Sequence, residues 1–327
     1  MRAFITGGTG FVGANLVAEL NERGIAARVL HRPTSSLAAL DGLHFEPVHG
    51  DILDEPAQLA QAMEGSTWVF HVAAASDYWR QGRDWVYRIN VEGTRNVLAA
   101  AQLAGANRLV YTSSLAALGT SPCGRLIDES NRFNQPPRQF PYGHSKALAE
   151  EVVQQAVANG LDAVIVNPSA ILGPRDVNKV GGAIIIEAAR GVLRFSPPGG
   201  ANFIAVEDVV AGHLAAAERG RTGERYLLGA HNLTLTEVAT IVCEVVGRRQ
   251  PLLKLRRWML PPIGVGVAVA RALFGNQVPL DTTHVRLMGA CTYVDSSKAR
   301  RELSLPQTPF TTAVQRAYNW YRDNGYL

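Results

Sequence analysis

The sequence predicts an α/β protein built on a doubly wound parallel sheet, with a smaller C-terminal substrate domain. Three observations support this fold class. Short apolar, β-branched runs alternate with longer helical patterns through the first half of the chain. A glycine-rich turn stands between the first of these runs and the first helical pattern. The alternation loosens after Pro168, where prolines and glycines break the remainder into short helices and loops.

The predicted strands and helices follow one another in regular order. Strands are predicted at residues 3–6, 27–30, 44–48, 68–72, 108–113 and 163–167. Helices are predicted at residues 11–23, 56–63, 85–104 and 142–159. Apolar strands without polar alternation indicate a parallel sheet that is covered on both faces. Ligands of such sheets bind in the crevice beyond the carboxyl ends of the strands.

The expected domain boundary lies near residue 168. Residues 1–168 form the predicted sheet domain, and residues 169–327 form the predicted substrate-binding domain. The stretch 203–229 contains an apolar strand, a helix and a second strand, so we expect it to return to the first sheet.

The composition is typical of a globular protein, with 47% hydrophobic and 18% charged residues among 327. The net charge of +4 is small, and no aromatic-rich basic strand indicates nucleic-acid binding. Cys123, Cys243 and Cys291 are widely separated and lack metal-ligand spacing, which predicts reduced thiols in the cytoplasm. The glycine turn follows the first methionine closely, so we expect no export signal.

The segment 258–275 is the longest apolar stretch without an acidic residue. Two prolines and Arg271 interrupt it, and it is shorter than the roughly 20 residues that a bilayer span requires. We therefore expect a buried or interfacial helix rather than a membrane span. Basic residues precede it at 248–249 and within 254–257. For these a solvated face is favoured over contact with an anionic ligand or a membrane surface.

The glycine-rich turn predicts a dinucleotide-binding site. Gly7, Gly10 and Gly13 are spaced to allow a tight turn, close approach of the backbone to a pyrophosphate, and close packing of helix on strand. Phe11 and Val12 begin the helix, whose free N–H groups and positive dipole end favour a phosphate. This strand, turn and helix are typical of a Rossmann domain that binds a nicotinamide dinucleotide.

The second predicted strand ends without the acidic residue that commonly holds the ribose hydroxyls of NAD. Arg32 stands there instead, with Ser35 close behind it. A guanidinium suits a 2′-phosphate, so NADP(H) is favoured over NAD(H) as the cofactor. The alternative is a surface arginine with no role in binding.

Two further strand ends supply expected cofactor contacts. Asp51 follows the third strand and is expected to accept a hydrogen bond from the adenine amino group, while Ile52 packs on the ring. Asp54 is the expected cap of the following helix, which leaves Asp51 free for the ligand. The fourth strand ends in small side chains that let the backbone approach the cofactor ribose, namely Val72, Ala73 and Ala74.

The expected catalytic residues are Ser114, Tyr142 and Lys146. Tyr142 and Lys146 lie one helical turn apart, on the same face of their predicted helix. An ammonium beside a phenol favours the phenolate, so the pair is expected to act as acid or base near neutral pH. Ser114 follows the fifth strand and is expected to hydrogen-bond the substrate oxygen, with Ser113 or Thr112 as the alternative.

Asn90 is a polar residue within an otherwise amphipathic helical pattern. One interpretation is that Asn90 lies on the helix surface or at a kink in the helix. The other is that its polar side chain relays protons to Lys146. The relay is the favoured interpretation, and we count Asn90 with the catalytic residues.

These motifs together resemble the extended short-chain dehydrogenase/reductases, also called the epimerase/dehydratase family. The resemblance covers nearly the whole chain, through residues 6–13, 50–52, 90–94, 111–114, 142–146, 167–174 and 295–300. It implies that Ser114 orients the substrate oxygen, that Tyr142 is the acid/base, and that Lys146 lowers its pKa and binds the nicotinamide ribose. The resemblance also implies a homodimer formed through the helices predicted at 85–104 and 142–159. Further residues assigned to the cofactor site are Thr112, Asn167, Pro168 and Ser169.

Within the family, the chain resembles dihydroflavonol-4-reductase-like reductases and the hopanoid-associated or nucleoside-diphosphate-sugar epimerases. Residues 31–35, 93–97 and 223–229 carry this closer resemblance. Nucleotide-sugar members usually have an arginine just before the segment that corresponds to 203–208, where it grips the diphosphate. In this chain Gly200, Ala201 and Asn202 stand at that place, and the arginine is absent. Arg194 or Arg286 is the alternative residue for gripping a diphosphate.

Two small-molecule reactions are compatible with these residues. Reduction of a ketone by NADPH is favoured, because Arg32 is present and the diphosphate arginine is absent. Epimerisation of a nucleoside-diphosphate sugar by a tightly bound cofactor is the alternative. A redox-sensing module without chemistry is disfavoured, since the tyrosine and lysine are both present. The expected substrate contacts are Ser76, Tyr78, Trp79, Phe203 and Arg286.

Overall fold

The computed structural model describes residues 1–76, 82–122, 124–251, 253–275, 278 and 282–327. Its strands are β1 Arg2–Thr6, β2 Ala26–His31, β3 Glu46–His49, β4 Trp68–His71, β5 Arg108–Thr112, β6 Ala163–Pro168, β7 Ala170–Leu172, β8 Phe195–Ser196, β9 Gly200–Ala205, β10 Arg225–Leu228, β11 His231–Thr234, β12 Leu253–Lys254 and β13 Cys291–Thr292. Its helices are α1 Phe11–Glu22, α2 Pro56–Met63, α3 Arg83–Tyr87, α4 Thr94–Leu103, α5 Pro141–Ala158, α6 Ala183–Ala189, α7 Val206–Arg219, α8 Leu235–Val245, α9 Leu260–Phe274, α10 Thr282–Leu287, α11 Ser297–Leu303 and α12 Phe310–Asp323.

The larger sheet is parallel throughout and has the strand order β3-β2-β1-β4-β5-β6-β10. The chain reverses its direction of travel across the sheet between β1 and β4, which creates a crevice beyond their carboxyl ends. Ala3, Phe4 and Ile5 of the central strand β1 are fully buried, because α1 and α7 cover one face while α2, α4 and α5 cover the other. The predicted doubly wound α/β fold is confirmed.

A smaller sheet forms in the C-terminal half. Its strand β9 pairs in parallel with β7 and β13 and antiparallel with β11. Side chains of α6, α8 and α12 pack on it in a separate apolar cluster. The segment 203–229 was expected to return to the first sheet. Its strand β10 joins the larger sheet and its helix α7 packs on that sheet, whereas its strand β9 belongs to the smaller sheet. The domain boundary near residue 168 stays a prediction.

The single helix predicted at 85–104 is interrupted in the structure. The chain forms α3, then a π-helical turn at Arg88–Gly93, and then α4. Such turns carry one extra residue and often occur at functional sites. Here the turn buries Asn90, so the polar residue lies inside the protein rather than on the helix surface.

The structure contradicts the expectation about the cysteines and one of the two alternatives for the apolar segment. Segment 258–275 contains all of α9. Its outward side chains are exposed, so the helix is not buried, and the interfacial helix is the alternative that remains. Among the residues that the structure describes, none of the helices combines the length and apolarity that crossing a membrane requires. Cys243 is a buried free thiol, whereas Cys291 is disulfide-bonded, which contradicts the expectation of three reduced thiols.

Candidate active site

A cleft of about 660 Å³ opens at the carboxyl ends of the strands of the larger sheet. Its wall contains most residues that the sequence predicts for the site, namely Gly7, Gly10, Phe11, Val12, Gly13, Arg32, Ser35, Asp51, Ile52, Val72, Ala73, Ala74, Ser76, Thr112, Ser114, Tyr142, Lys146, Pro168 and Ser169. The wall also contains residues that were not assigned to the site from the sequence, namely Thr9, Leu30, His31, Gly50, Ala75, Trp85, Ile89, Ala170, Ile171, Asn178, Val180 and Gly181. Ser113, the predicted alternative to Ser114, lies in the wall too.

The glycine turn after β1 has no room for side chains. Gly7 has a φ of +69°, and a Cβ there would lie 2.5 Å from the backbone nitrogen of Ala73. A Cβ on Gly13 would lie 2.3 Å from the Gly7 carbonyl oxygen. The helix α1 begins at Phe11 with neither a side-chain cap nor an acidic residue in its first turn. Its first N–H groups and the positive end of its dipole are therefore free for an anionic ligand.

The end of β2 contributes Arg32 and His31 to the cleft wall. The side chain of Arg32 is exposed, whereas His31 is buried and its Nδ1 donates to the Arg32 carbonyl oxygen at 3.1 Å. The His31 Nε2 atom is buried and has no hydrogen-bond partner within the described ranges. A buried acceptor without a partner at a cleft wall is suited to a ligand hydroxyl.

The loop after β3 differs from the expectation. Asp51 lines the cleft, but its Oδ1 accepts a hydrogen bond from the Leu53 backbone N–H at 3.0 Å. Asp54 does not cap α2. Its Oδ2 accepts from the Asp51 backbone N–H at 2.7 Å, and α2 begins at Pro56 after Glu55. The premise that Asp51 has no local partner is therefore wrong, and its second carboxylate oxygen is the one left for a ligand.

Ser114 and Tyr142 meet in the cleft from two different elements. Ser114 follows β5, and Tyr142 is the second residue of α5, where Pro141 is favourable as the first helical residue. Burial raises the pKa of the Tyr142 phenol above its ordinary value, and a hydrogen bond with Ser114 lowers it by less. The phenol is therefore protonated at neutral pH.

Lys146 lies one turn beyond Tyr142 on α5 and is 1% exposed. Its Nζ donates to the Thr112 carbonyl oxygen at 2.7 Å and lies 4.5 Å from the centroid of the Tyr111 ring. Burial lowers the pKa of the Lys146 amine to about 7, although the Glu150 carboxylate raises it. Burial dominates the pKa of both groups in this structure, which opposes the predicted effect of the lysine on the phenol.

A buried carboxylate that was not among the predicted site residues lies beside the catalytic residues, four positions after Lys146 in the sequence. Glu150 accepts hydrogen bonds from Ser113 Oγ at 2.5 Å and from Asn167 Nδ2 at 2.6 Å. Its other oxygen pairs with Arg225 of β10 at 3.2 Å. Such partners are what a buried charge requires. The network ties α5 to the ends of β5, β6 and β10, and so holds Lys146 against the sheet.

The proton relay expected of Asn90 has no direct contact with Lys146. Asn90 is buried behind the cleft wall, where its Oδ1 accepts from the Ala75 backbone N–H at 2.8 Å. Its Nδ2 donates to the Ala75 carbonyl oxygen and to Ser145 Oγ, both at 2.9 Å. The amide therefore ties the loop after β4 to α5. Asn90 is a positioning residue in this structure.

Replacing Asn90 with alanine is expected to lower the free energy of unfolding by about 3 kcal/mol, because buried polar groups of Ala75 and Ser145 lose their partners. Asn96→Ala is the matched control. Its Nδ2 donates at 3.3 Å to two carbonyl oxygens in a half-buried position, so we expect a loss of less than about 1 kcal/mol. Denaturant unfolding measures both values, and equal losses would contradict the role given to Asn90.

Two predicted site residues are buried away from the cleft wall. Asn167 lies behind it and donates to the Ser114 carbonyl oxygen at 3.0 Å as well as to Glu150. Phe203 packs in the apolar cluster of the smaller sheet, with its ring 5.3 Å from that of Phe310. Neither side chain lines the cleft in this structure, so the cofactor contact of Asn167 and the substrate contact of Phe203 stay predictions.

The remaining predicted substrate residues lie elsewhere. Arg286 on α10 is exposed outside the cleft wall and bonds to the side chain of Gln139. Arg194 is also exposed and is not part of the cleft wall. Tyr78 and Trp79 lie outside the described residues, so the prediction that they contact the substrate stays a prediction.

Comparisons with known proteins agree with this geometry. Residues 3–229 match the model of the NAD dependent epimerase/dehydratase family. A putative dihydroflavonol 4-reductase of Synechocystis is 39% identical over 331 aligned positions, covering 99% of this chain and 95% of the relative. Sterol demethylase protein B of Methylococcus capsulatus is 35% identical, covering 100% of both chains. A solved nucleoside-diphosphate-sugar epimerase from Pseudomonas aeruginosa is 28% identical with a TM-score of 0.80, covering 100% of this chain and 99% of its own.

Proposed function

The chain belongs to the NAD-dependent epimerase/dehydratase family, the extended short-chain dehydrogenase/reductases, and on this premise we propose that it reduces a ketone with NADPH. The observation that carries this proposal is the end of β2, which brings the cation of Arg32 to the cleft where NAD enzymes commonly place a carboxylate. The protonated phenol of Tyr142 supports the reductive direction, because reduction of a ketone requires a proton donor.

The residues present fit a nicotinamide dinucleotide. Any Cβ at Gly7 or Gly13 would fill the space beneath the glycine turn, whose N–H groups would hold the pyrophosphate. The unpartnered His31 Nε2 would accept from a ribose hydroxyl, and Arg32 would bind the 2′-phosphate. Asp51 would hold the adenine through its second oxygen. When bound, the dinucleotide supplies the hydride.

The catalytic residues would act on the carbonyl oxygen of the substrate. Ser114 holds this oxygen by a hydrogen bond, and Tyr142 donates a proton to it as negative charge develops. Lys146, with a pKa of about 7, gains and loses a proton near neutral pH and is available to restore the proton of the phenol. Its contact with the Thr112 carbonyl oxygen holds it beside the site.

A flat, hydrophobic ketone is the substrate class that we propose. Apolar side chains contribute much of the cleft wall, including Trp85, Ile89 and Val180. Asn202 occupies the position at which nucleotide-sugar enzymes usually carry an arginine, and it accepts a hydrogen bond from Ser169 at 2.7 Å. The names of two relatives refer to a dihydroflavonol and to a sterol, which are both flat ring systems.

Epimerisation of a nucleoside-diphosphate sugar is the second candidate, supported by the similarity to the Pseudomonas epimerase. The purified chain is assayed with NADPH and a panel of flat ketones, and separately with nucleotide sugars. Reduction consumes one NADPH for each alcohol formed. Interconversion of nucleotide sugars without net NADPH oxidation, together with inactivity toward every ketone, would refute the proposed reduction.

A homodimer through α4 and α5 and a cytoplasmic location are further parts of the proposal. The outer sides of both helices carry exposed residues, including Leu103 at the end of α4. The cytoplasm is proposed because the reaction draws on a free pool of NADPH. Sedimentation equilibrium tests the dimer, and a monomer at every protein concentration would contradict it.

Replacing Arg32 with alanine is expected to weaken NADPH binding about 10- to 100-fold, since a charge-assisted contact to phosphate contributes roughly 1.5–3 kcal/mol. The affinity for NADH should change less than about twofold, because NADH has no 2′-phosphate for the guanidinium to bind. Fluorescence titration of the two reduced dinucleotides gives both dissociation constants. Arg300→Ala removes an exposed arginine of α11 and serves as the control. Equal losses for NADPH and NADH would contradict the assignment of Arg32.

A further inference from the structure

The segment around α9 carries an apolar surface that no described part of the chain covers. Val265, Val269, Leu273 and Phe274 are between 53% and 72% exposed, and Trp258 just before the helix is 71% exposed. A helix that is apolar on every side is otherwise found inside proteins or in contact with membranes. We call Trp258 together with the exposed side of α9 the apolar surface.

The inner side of α9 packs against the protein. Leu260 packs closely on Gly289, since a Cβ added to Gly289 would lie 2.6 Å from the Cδ1 atom of Leu260. Gly264 faces Val285 of α10. The exposed positions of α9 are 261, 262, 265, 266, 268, 269, 272, 273 and 274, and the half-buried ones at 263, 264, 267, 270 and 271 recur every three or four residues on the side toward α10. The packing of α9 on α10 therefore holds the exposed positions outward.

Cations precede the apolar surface along the chain. Residues 245–280 contain six arginines and lysines and no aspartate or glutamate. Arg249, Lys254 and Arg256 among them are exposed. Positive side chains beside an exposed apolar helix complement anionic headgroups, and their attraction adds to the free energy of apolar insertion.

We propose that the apolar surface binds the interface of a membrane that contains anionic lipids. The 15 residues of α9 extend over roughly 22 Å, which is shorter than the hydrocarbon core of a bilayer. The helix would therefore lie along the interface, with its outer stripe among the acyl chains and the cations among the headgroups. This proposal is independent of the proposed reduction.

A second copy of this chain is a less suitable partner for the apolar surface. A two-fold contact brings the same patch of both copies together. The cations that precede the surface in one copy would then lie close to those of the other, without a neighbouring carboxylate in residues 245–280 to offset their repulsion. Anionic lipid headgroups instead attract every one of these cations.

The apolar surface is connected to the active site through α10. The Thr283 hydroxyl on α10 donates to the Gln139 carbonyl oxygen at 2.6 Å, and Gln139 precedes Tyr142 by three residues. A membrane held by α9 would therefore adjoin the element that supports the chain just before the catalytic tyrosine.

Co-sedimentation of the full chain with lipid vesicles tests the proposal. We expect binding to vesicles of equal parts phosphatidylglycerol and phosphatidylcholine, and about tenfold weaker binding to phosphatidylcholine alone. Val265→Ser with Leu273→Ser should weaken binding about tenfold or more, because apolar groups no longer enter the acyl region. Arg249→Gln with Lys254→Gln should weaken binding only to the anionic vesicles.

Matched variants keep the experiment decisive. Val192→Ser with Leu126→Ser changes two exposed apolar residues elsewhere, and Arg300→Gln with Arg301→Gln removes two exposed cations of α11. Both controls should bind vesicles as the wild type does, and unchanged melting temperatures verify that all variants fold. Absence of wild-type binding to anionic vesicles would overturn the proposal. Equal losses in the controls would overturn it too, as would a lipid-free dimer that the α9 variants dissociate.

Discussion

Replacing Tyr142 with phenylalanine is expected to lower kcat about a thousandfold, while the dissociation constant of the dinucleotide changes less than about twofold. Burial keeps the phenol protonated at neutral pH, and Ser114 is its hydrogen-bond partner in the cleft. Phenylalanine preserves the ring and removes only the proton donor. The substitution therefore separates the chemistry from the binding site, which the glycine turn forms on a different element. Steady-state kinetics and dinucleotide titration give the two quantities.

The matched control for this prediction is Tyr318→Phe, on α12 outside the cleft wall. It removes a tyrosine hydroxyl without touching the candidate site, so kcat should stay within about twofold of the wild-type value. A Tyr142→Phe variant that keeps wild-type kcat would show that the proton comes from another group. A variant that loses dinucleotide affinity in proportion to kcat would show that Tyr142 supports the architecture of the site instead.

The larger sheet and the glycine turn were predictable from the sequence because both depend on local patterns. Buried parallel strands require uninterrupted apolar runs, and the runs around Phe4, Val69 and Val110 have that character. The turn at Gly7 and Gly13 leaves no space for a Cβ, so the glycines themselves indicate it. The convergence of Ser114, Tyr142 and Lys146 then follows from the rule that ligands bind at the carboxyl ends of parallel strands.

Residues whose roles depend on distant partners were not predictable in this way. Glu150 resembles an ordinary polar residue of a helix until Arg225, from a strand 75 residues later, pairs with it. Asn167 lies at the end of a strand, where the sequence predicts a cofactor contact. Its amide instead donates a hydrogen bond to the buried carboxylate of Glu150, behind the cleft wall. The acidic position at i+4 from Lys146 is the one signal in the sequence that indicates a carboxylate on the same helix face.

Local competition between polar groups explains the other differences. Asp51 and Asp54 both follow β3, and pattern alone does not decide which of them bonds to the backbone. In the structure both do. The segment of α9 is apolar enough to suggest burial, yet within the described residues it packs with one side on α10 and leaves its other side exposed. Composition reports what a helix could bury, whereas the number of neighbouring elements decides how much it does bury.

Replacing Lys146 with methionine is expected to abolish activity and, at neutral pH, to stabilise the fold. Burial lowers the pKa of the amine to about 7 in the folded chain, which is far below its value in an unfolded chain. Since one pKa unit corresponds to about 1.4 kcal/mol, burying the protonated amine costs about 5 kcal/mol. Loss of the hydrogen bond to the Thr112 carbonyl oxygen offsets about 1–2 kcal/mol, so a net gain of about 3 kcal/mol remains.

The sign of the pH dependence makes this prediction specific. Between the folded and unfolded pKa values, from about 7 to about 10.5, the unfolded chain binds the extra proton, so wild-type stability should rise with pH in this range. The advantage of Lys146→Met should therefore be largest at or below pH 7 and shrink toward pH 10. Denaturant unfolding at several pH values measures it. Lys298→Met removes an amine paired with Glu224 at 2.6 Å and should be neutral or slightly destabilising. A Lys146→Met variant less stable than the wild type at pH 7 would mean that the amine is held there by favourable charge contacts, and that desolvation does not dominate this site.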